Sequence, residues 1–155
     1  MKFVFIFLGK TKERYLHQAI QDYAKRLQRY VPVEIKVIKA KHAKNDADHV
    51  IMATEAEQLS KHTSQSSFMV TLDPAGKIFS SEEVADLIVS WENRGIQEIT
   101  FLIGGYLGLD KKILALADLH WSLSRLTFTH EMTRFIVLEQ LYRACSIKCG
   151  HNYHK

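Results

Sequence analysis

Three short apolar runs limit what this chain can fold into: Lys2–Leu8 (KFVFIFL), Phe68–Leu72 (FMVTL) and Glu98–Ile103 (EITFLI). Each is too short for a buried helix and too continuous for a strand with one wet face, so each reads as a strand covered on both sides. Between them lie segments with helical spacing. In 12–30, Leu16, Ala19, Ile20, Tyr23, Leu27 and Tyr30 share one face, and Pro32 closes the helix. Residues 33–38 (VEIKVI) alternate, which predicts a strand with one wet face or at a sheet edge. A polar loop at 40–46 leads to a less regular helix at 46–61.

The third strand is expected to stop at Asp73-Pro74-Ala75-Gly76, a turn sequence. Ser80 or Ser81 then caps a helix carrying Val84, Leu87, Ile88 and Trp91, ended by Gly95. After the fourth strand, Asp110 caps a short helix at Lys111–Ala117, and His120–Leu123 makes a fifth strand. Glu131–Lys148 closes as a long helix with Phe135, Leu138, Leu141, Tyr142 and Cys145 as its apolar stripe, Glu139 and Arg143 as an i,i+4 pair, and Gly150 as its stop. Strands alternating with helices predict a single α/β domain over 1–155, a mostly parallel sheet with helices on both faces.

Composition removes several classes. With 46% apolar and 25% charged residues in a chain of 155, neither disorder nor a membrane protein is expected. The opening MKFVFIFLGK is followed by Lys12, Glu13 and Arg14 and lacks a small-residue cleavage site, so it reads as a buried strand of a cytoplasmic protein. The net charge of +4 favours a polyanionic partner, with basic clusters at Lys36, Lys39, Lys41, His42 and Lys44 and at Arg143, Lys148, His151, His154 and Lys155. Solvated lysines kept for solubility are the bland reading of the first cluster. Cys145 and Cys149 sit four apart on a helix, an arrangement unsuited to a relaxed disulfide. With His151 and His154 they supply zinc-ligand types, but the spacing matches no standard knuckle, and no metal is expected.

Ligands of open parallel sheets sit at the carboxyl ends of the strands. Three loops qualify: Leu72–Gly76, Ile103–Gly108 and Ser122–Thr129. None is a dinucleotide or Walker fingerprint. His130 starts a helix, where the dipole would lower its pKa, and Arg134 lies one turn on. Two polar residues on an otherwise apolar helix need partners, which points to function. Tyr153 and His154 form an aromatic–imidazole pair able to stack on a base and contact its edge.

The combination of TLD at 71–73, FLIGG at 101–105 with Gly108, SLSRLTF at 122–128, His130, Arg134, EQLYRA at 139–144 and the terminal YHK resembles the SPOUT class of methyltransferases. Within that class it resembles the ribosomal large-subunit methyltransferase H family, over essentially the whole chain. The resemblance implies a C-terminal trefoil knot and a homodimer that methylates N3 of a pseudouridine in helix 69 of 23S rRNA in the ribosome. It implies S-adenosylmethionine as cofactor, held by Leu72, Gly104, Leu123, Ser124, Arg125, Leu126, Thr127 and Phe128. His130, Arg134, Arg143, Tyr153 and His154 would surround the target base, His154 from the same or the partner subunit, while the basic clusters hold RNA. Thr129 stands where the family usually has proline, a position at which threonine can cap a helix. Rival readings are a knotted methyltransferase acting on tRNA and a non-catalytic RNA-binding assembly factor.

Overall fold

The computed structural model describes residues 1–39, 41, 43, 45–151 and 153. Its elements run β1 (Lys2–Leu8), α1 (Arg14–Leu27), β2 (Val33–Ile38), α2 (Asp48–His62), β3 (Phe68–Ile78), α3 (Ser81–Asn93), β4 (Glu98–Ile103), α4 (Lys111–Leu116), β5 (Leu119–Ser122) and α5 (His130–Lys148). The strands form one sheet in the order β2-β1-β4-β3-β5, every pairing parallel. This is the α/β fold expected from the apolar runs, and the alternating β2 lies at an edge.

The period of two in β1 divides the core. Phe3, Phe5 and Phe7 face one side with Val70, Leu72, Ile99, Phe101 and Ile103, under Ile20, Ala24 and Leu27 of α1, Val84, Ile88 and Trp91 of α3, and the inner face of α5. Val4, Ile6 and Leu8 face the other side with Leu102 and Ile38, under Ala56 and Leu59 of α2 and Ile113 of α4. Phe5 stacks on Phe101 at 4.9 Å and Phe3 meets the same ring edge-on at 5.4 Å, tying the centre of the sheet together.

Two readings need correction. First, β3 does not stop at Asp73. Leu72 and Lys77 both register against Trp121, so Asp73–Gly76 bulges out and the strand resumes to Ile78. Asp73 Oδ1 accepts from Ala75 N at 2.7 Å, the local turn bond that the sequence signals. The resumption depends on β5: a Cβ on Gly76 would lie 2.7 Å from the His120 carbonyl, so only glycine lets the two backbones close. Second, the buried face of α5 is Arg134, Val137, Leu138, Leu141, Ala144 and Cys145, whereas Phe135 and Tyr142 are half-buried against Tyr23 of α1. The helix lies between α1 and α3, and its stripe is wider than one spacing pattern.

The expected caps are present. Ser80 and Glu83 form a reciprocal capping box on α3, and Asp110 accepts from Lys112 N on α4. On α5, Thr129 Oγ1 accepts from Met132 N at 3.2 Å. Thr129→Ala should therefore cost about 1 kcal/mol. Thr129 has φ −62°, which a proline ring fits. Thr129→Pro is expected to lose less stability than Thr129→Ala, because the ring restricts the unfolded chain. Urea midpoints of the two variants check the order.

Candidate active site

Because all five strands are parallel, the loops leaving β1, β3, β4 and β5 gather at one end of the sheet. Three of them, the Asp73–Gly76 bulge, the turn after β4 and the segment after β5, enclose a cleft of roughly 640 Å³ including its open mouth. Leu72, Gly104, Leu123, Ser124, Leu126, Thr127 and Phe128 all line it; Arg125 does not, and its side chain is exposed. The wall also contains Trp121 and Thr133, which lie outside the loops singled out in the sequence. Trp121 is a β5 strand residue whose inward face is set by pairing with β3, and no local pattern marks it.

The turn after β4 is closed on itself. Gly105 pairs with Gly108, whose N–H donates to Gly105 O at 3.1 Å. A Cβ on Gly104 would stand 2.6 Å from the Gly108 carbonyl carbon and oxygen. The turn after β5 is held by two serines: Ser122 Oγ donates to Ser124 O at 2.8 Å, and Ser124 Oγ accepts from Leu126 N at 3.0 Å. The cleft thus has apolar side walls and fixed backbone edges, a combination that grips a flat heteroaromatic ring and reads its polar rim.

His130, the first residue of α5, is half-buried in this wall. Its pKa is lowered, first by burial and then by Arg134 and Lys12, with Glu131 opposing. The expected direction is present, and burial is its largest cause. The imidazole is neutral at neutral pH, able to donate through one nitrogen and accept through the other.

These features match known proteins. A family described as "Predicted SPOUT methyltransferase" matches residues 1–154. The ribosomal RNA large subunit methyltransferase H of Desulfotalea psychrophila is 43% identical over the full length of both chains. The protein of the same name from Acetivibrio thermocellus is 41% identical, again over both full lengths. The chain belongs to the ribosomal RNA large subunit methyltransferase H family of SPOUT methyltransferases. A solved structure described as a probable methylase family protein, from Haemophilus influenzae Rd KW20, shares the fold with a TM-score of 0.54. It is 14% identical, and the match covers 99% of this chain and 70% of that one.

Of the remaining residues that the resemblance to the methyltransferase family gathered around a target base, Arg134, Arg143 and Tyr153 are described, and they lie at two separate places in the protomer. Arg134 is fully buried: Nη2 donates to Leu8 O at 2.6 Å, Nη1 donates to Thr11 Oγ1 at 3.1 Å, and the guanidinium lies 4.8 Å from the Phe7 ring centre. Burial lowers its pKa. It faces the end of β1, where its partners are the Leu8 carbonyl and the Thr11 hydroxyl, and its buried Nε makes no hydrogen bond. Arg143 pairs with Glu139 at 2.5 Å and covers the Tyr153 ring at 4.9 Å. The Tyr153 hydroxyl lies 2.8 Å from that of Tyr23, and burial first, then Tyr23, pushes its pKa up. This cluster sits on the α1–α5 face, about 20 Å along the helix from His130 at 1.5 Å per residue. His154 lies outside the described residues.

No group of three or more metal-ligating side chains gathers among the described residues. Cys145 belongs to the core, where burial pushes its thiol up to about 12, whereas Cys149 is exposed. Iodoacetamide at pH 8 should label one thiol in the native protein and two in denaturant, read by intact mass.

Proposed function

We propose that this protein transfers the methyl group of S-adenosylmethionine to N3 of a pseudouridine in helix 69 of 23S rRNA, acting on ribosomes in the cytoplasm as a homodimer. The observation that carries this reading is the cleft itself: the residues that the family resemblance assigns to the cofactor, Arg125 apart, line one cavity at the carboxyl end of the sheet. The likeness to relatives named as large-subunit rRNA methyltransferases supports the substrate class. We further propose that the segments crossing at Gly104 and after β5 thread the family's trefoil knot over a single domain.

Fit to the cofactor rests on the lining. Leu72, Leu123, Leu126 and Phe128 would flank the adenine, the backbone of Gly104 and of residues 123–128 would contact its edge, and the Gly104 position leaves no room for a side chain. When bound, S-adenosylmethionine supplies an electrophilic methyl group. The chain's own work is then to hold the base in line and take up the imide proton of N3, so positioning contributes much of the rate. His130 borders the cleft and would orient the base. Arg143, near the end of α5, and Tyr153, packed on it, lie about 20 Å along the helix from His130 at 1.5 Å per residue, too far to reach their own cleft. A second copy bringing its tail to this cleft reconciles the two halves, and His154 of that tail would then orient or accept the proton.

Labelled methyl transfer to ribosomes lacking the modification, with free 23S rRNA and tRNA in parallel, tests the reading. Label confined to helix 69 is expected. Label on tRNA would discard the substrate, and no S-adenosylmethionine binding would discard the enzyme.

A further inference from the structure

Resting on the RNA-methyltransferase reading above, we propose that the loops after β1 and β2 form a basic rail that carries the phosphodiester backbone of the RNA beside the cleft. The strand order places these loops next to one another, stepping outward from β4 and the cleft: β4, then β1, then β2. Lys10, Lys12 and Arg14 stand on the first loop and helix start, Lys39 and Lys41 on the second, and all five are exposed. Lys12 lies close enough to His130 in the cleft wall to disfavour its charging.

Among the described residues the rail cations form no ion pair, a state they share with Lys25, Arg29, Lys77, Lys111, Lys112 and Arg125. What sets them apart is their place beside the cleft on backbone held from within. Lys2, Arg26, Lys36, Lys61, Arg143 and Lys148 each hold a carboxylate within ion-pair distance. Among the described residues, none of the five rail cations does. Glu57, near Lys41, is already paired with Lys61 at 2.6 Å. Glu13 is the one acid within 9–14, so that stretch keeps a net positive charge.

Backbone groups next to or within both sets of cations are also held from below by buried polar side chains. Glu131 accepts from Lys12 N at 2.9 Å and Glu13 N at 3.1 Å, while Arg134 holds Leu8 O and Thr11 Oγ1. Gln58 donates to Lys39 O at 2.7 Å and accepts from Lys41 N at 3.2 Å. Gln58, Glu131 and Arg134 are 6%, 8% and 0% exposed, so three groups that would otherwise be costly to bury hold backbone that carries free cations. Backbone held from inside with its charges outward loses little entropy on meeting a polyanion. The Glu131 carboxylate, occupied by two N–H groups, is not left facing the RNA.

The test compares Lys10→Gln/Lys12→Gln/Arg14→Gln with the wild type and with Lys25→Gln/Arg29→Gln, a loss of two exposed charges at the far end of α1 and just beyond it. Methyl transfer to ribosomes lacking the modification is measured across salt concentrations, with S-adenosylmethionine affinity determined separately. For the rail triple, KM should rise roughly tenfold near physiological salt, and the log–log salt slope should flatten by about 2, as expected for three lost phosphate contacts to a single strand. Turnover at saturating ribosomes and cofactor affinity should stay within about twofold, and the control should follow the wild type. A rail variant with wild-type KM and slope overturns the proposal, as does an equal KM rise in the control. If wild-type protein methylates no RNA, the underlying reading fails and the rail falls with it.

Discussion

Gly104→Ala is expected to lower S-adenosylmethionine affinity by tenfold or more while leaving the protein folded. The added methyl would lie 2.6 Å from the carbonyl carbon and oxygen of Gly108 and 3.0 Å from Leu109 N. All three are backbone atoms, so relief cannot come from a side-chain rotation. The turn from Gly105 to Gly108 must open, and it forms one wall of the cleft. Overpacking of this kind costs about 1–3 kcal/mol. If the turn moves to relieve it, the cost appears in binding, where 1.4 kcal/mol is about a factor of ten. Calorimetric titration with S-adenosylmethionine, beside a thermal melt, reads both quantities. Unchanged affinity with a lower melting temperature would make the turn a scaffold feature and would sink its assignment to the cofactor.

What could be read in the sequence was what local pattern encodes. The apolar runs of β1, β3 and β4 have one physical reading, a strand buried on both faces, and the core divides as their alternation requires. Ser80, Asp110 and Thr129 cap because a cap is a bond within one turn. That three of these loops would share one end could be read because parallel strands place all such loops there, and they line one cleft. The failures share one cause, a partner far away in sequence. Asp73–Gly76 carries a true turn bond, but whether the strand resumes is decided by β5. The Tyr153 hydroxyl lies beside that of Tyr23, 130 positions earlier, a contact that no local pattern marks. In the sequence Glu131 reads only as the start of the last helix, yet its oxygens accept from the amides of Lys12 and Glu13 before α1.

Arg134 is the sharpest case, and its substitution separates the two roles. A polar residue on an apolar helix demands a partner, and the sequence could not say whether that partner was a ligand or the chain itself. With the Leu8 carbonyl as acceptor in a fully buried site, Arg134→Ala should destabilise the protein by about 3–5 kcal/mol: it opens a cavity and leaves that carbonyl unsatisfied. For a chain of this size each kcal/mol moves the melting temperature by about 2–4 °C, so a fall of roughly 6–20 °C is expected. Arg134→Lys keeps the charge but reaches one acceptor in place of two, and should fall between the variant and the wild type. Turnover measured well below the melting point should drop less than about tenfold, through the loosened loop after β1. A residue touching the base would behave in the opposite way, with melting unchanged and turnover lost. That opposite result would return Arg134 to the group around the target base and would require the end of β1 to open for the RNA.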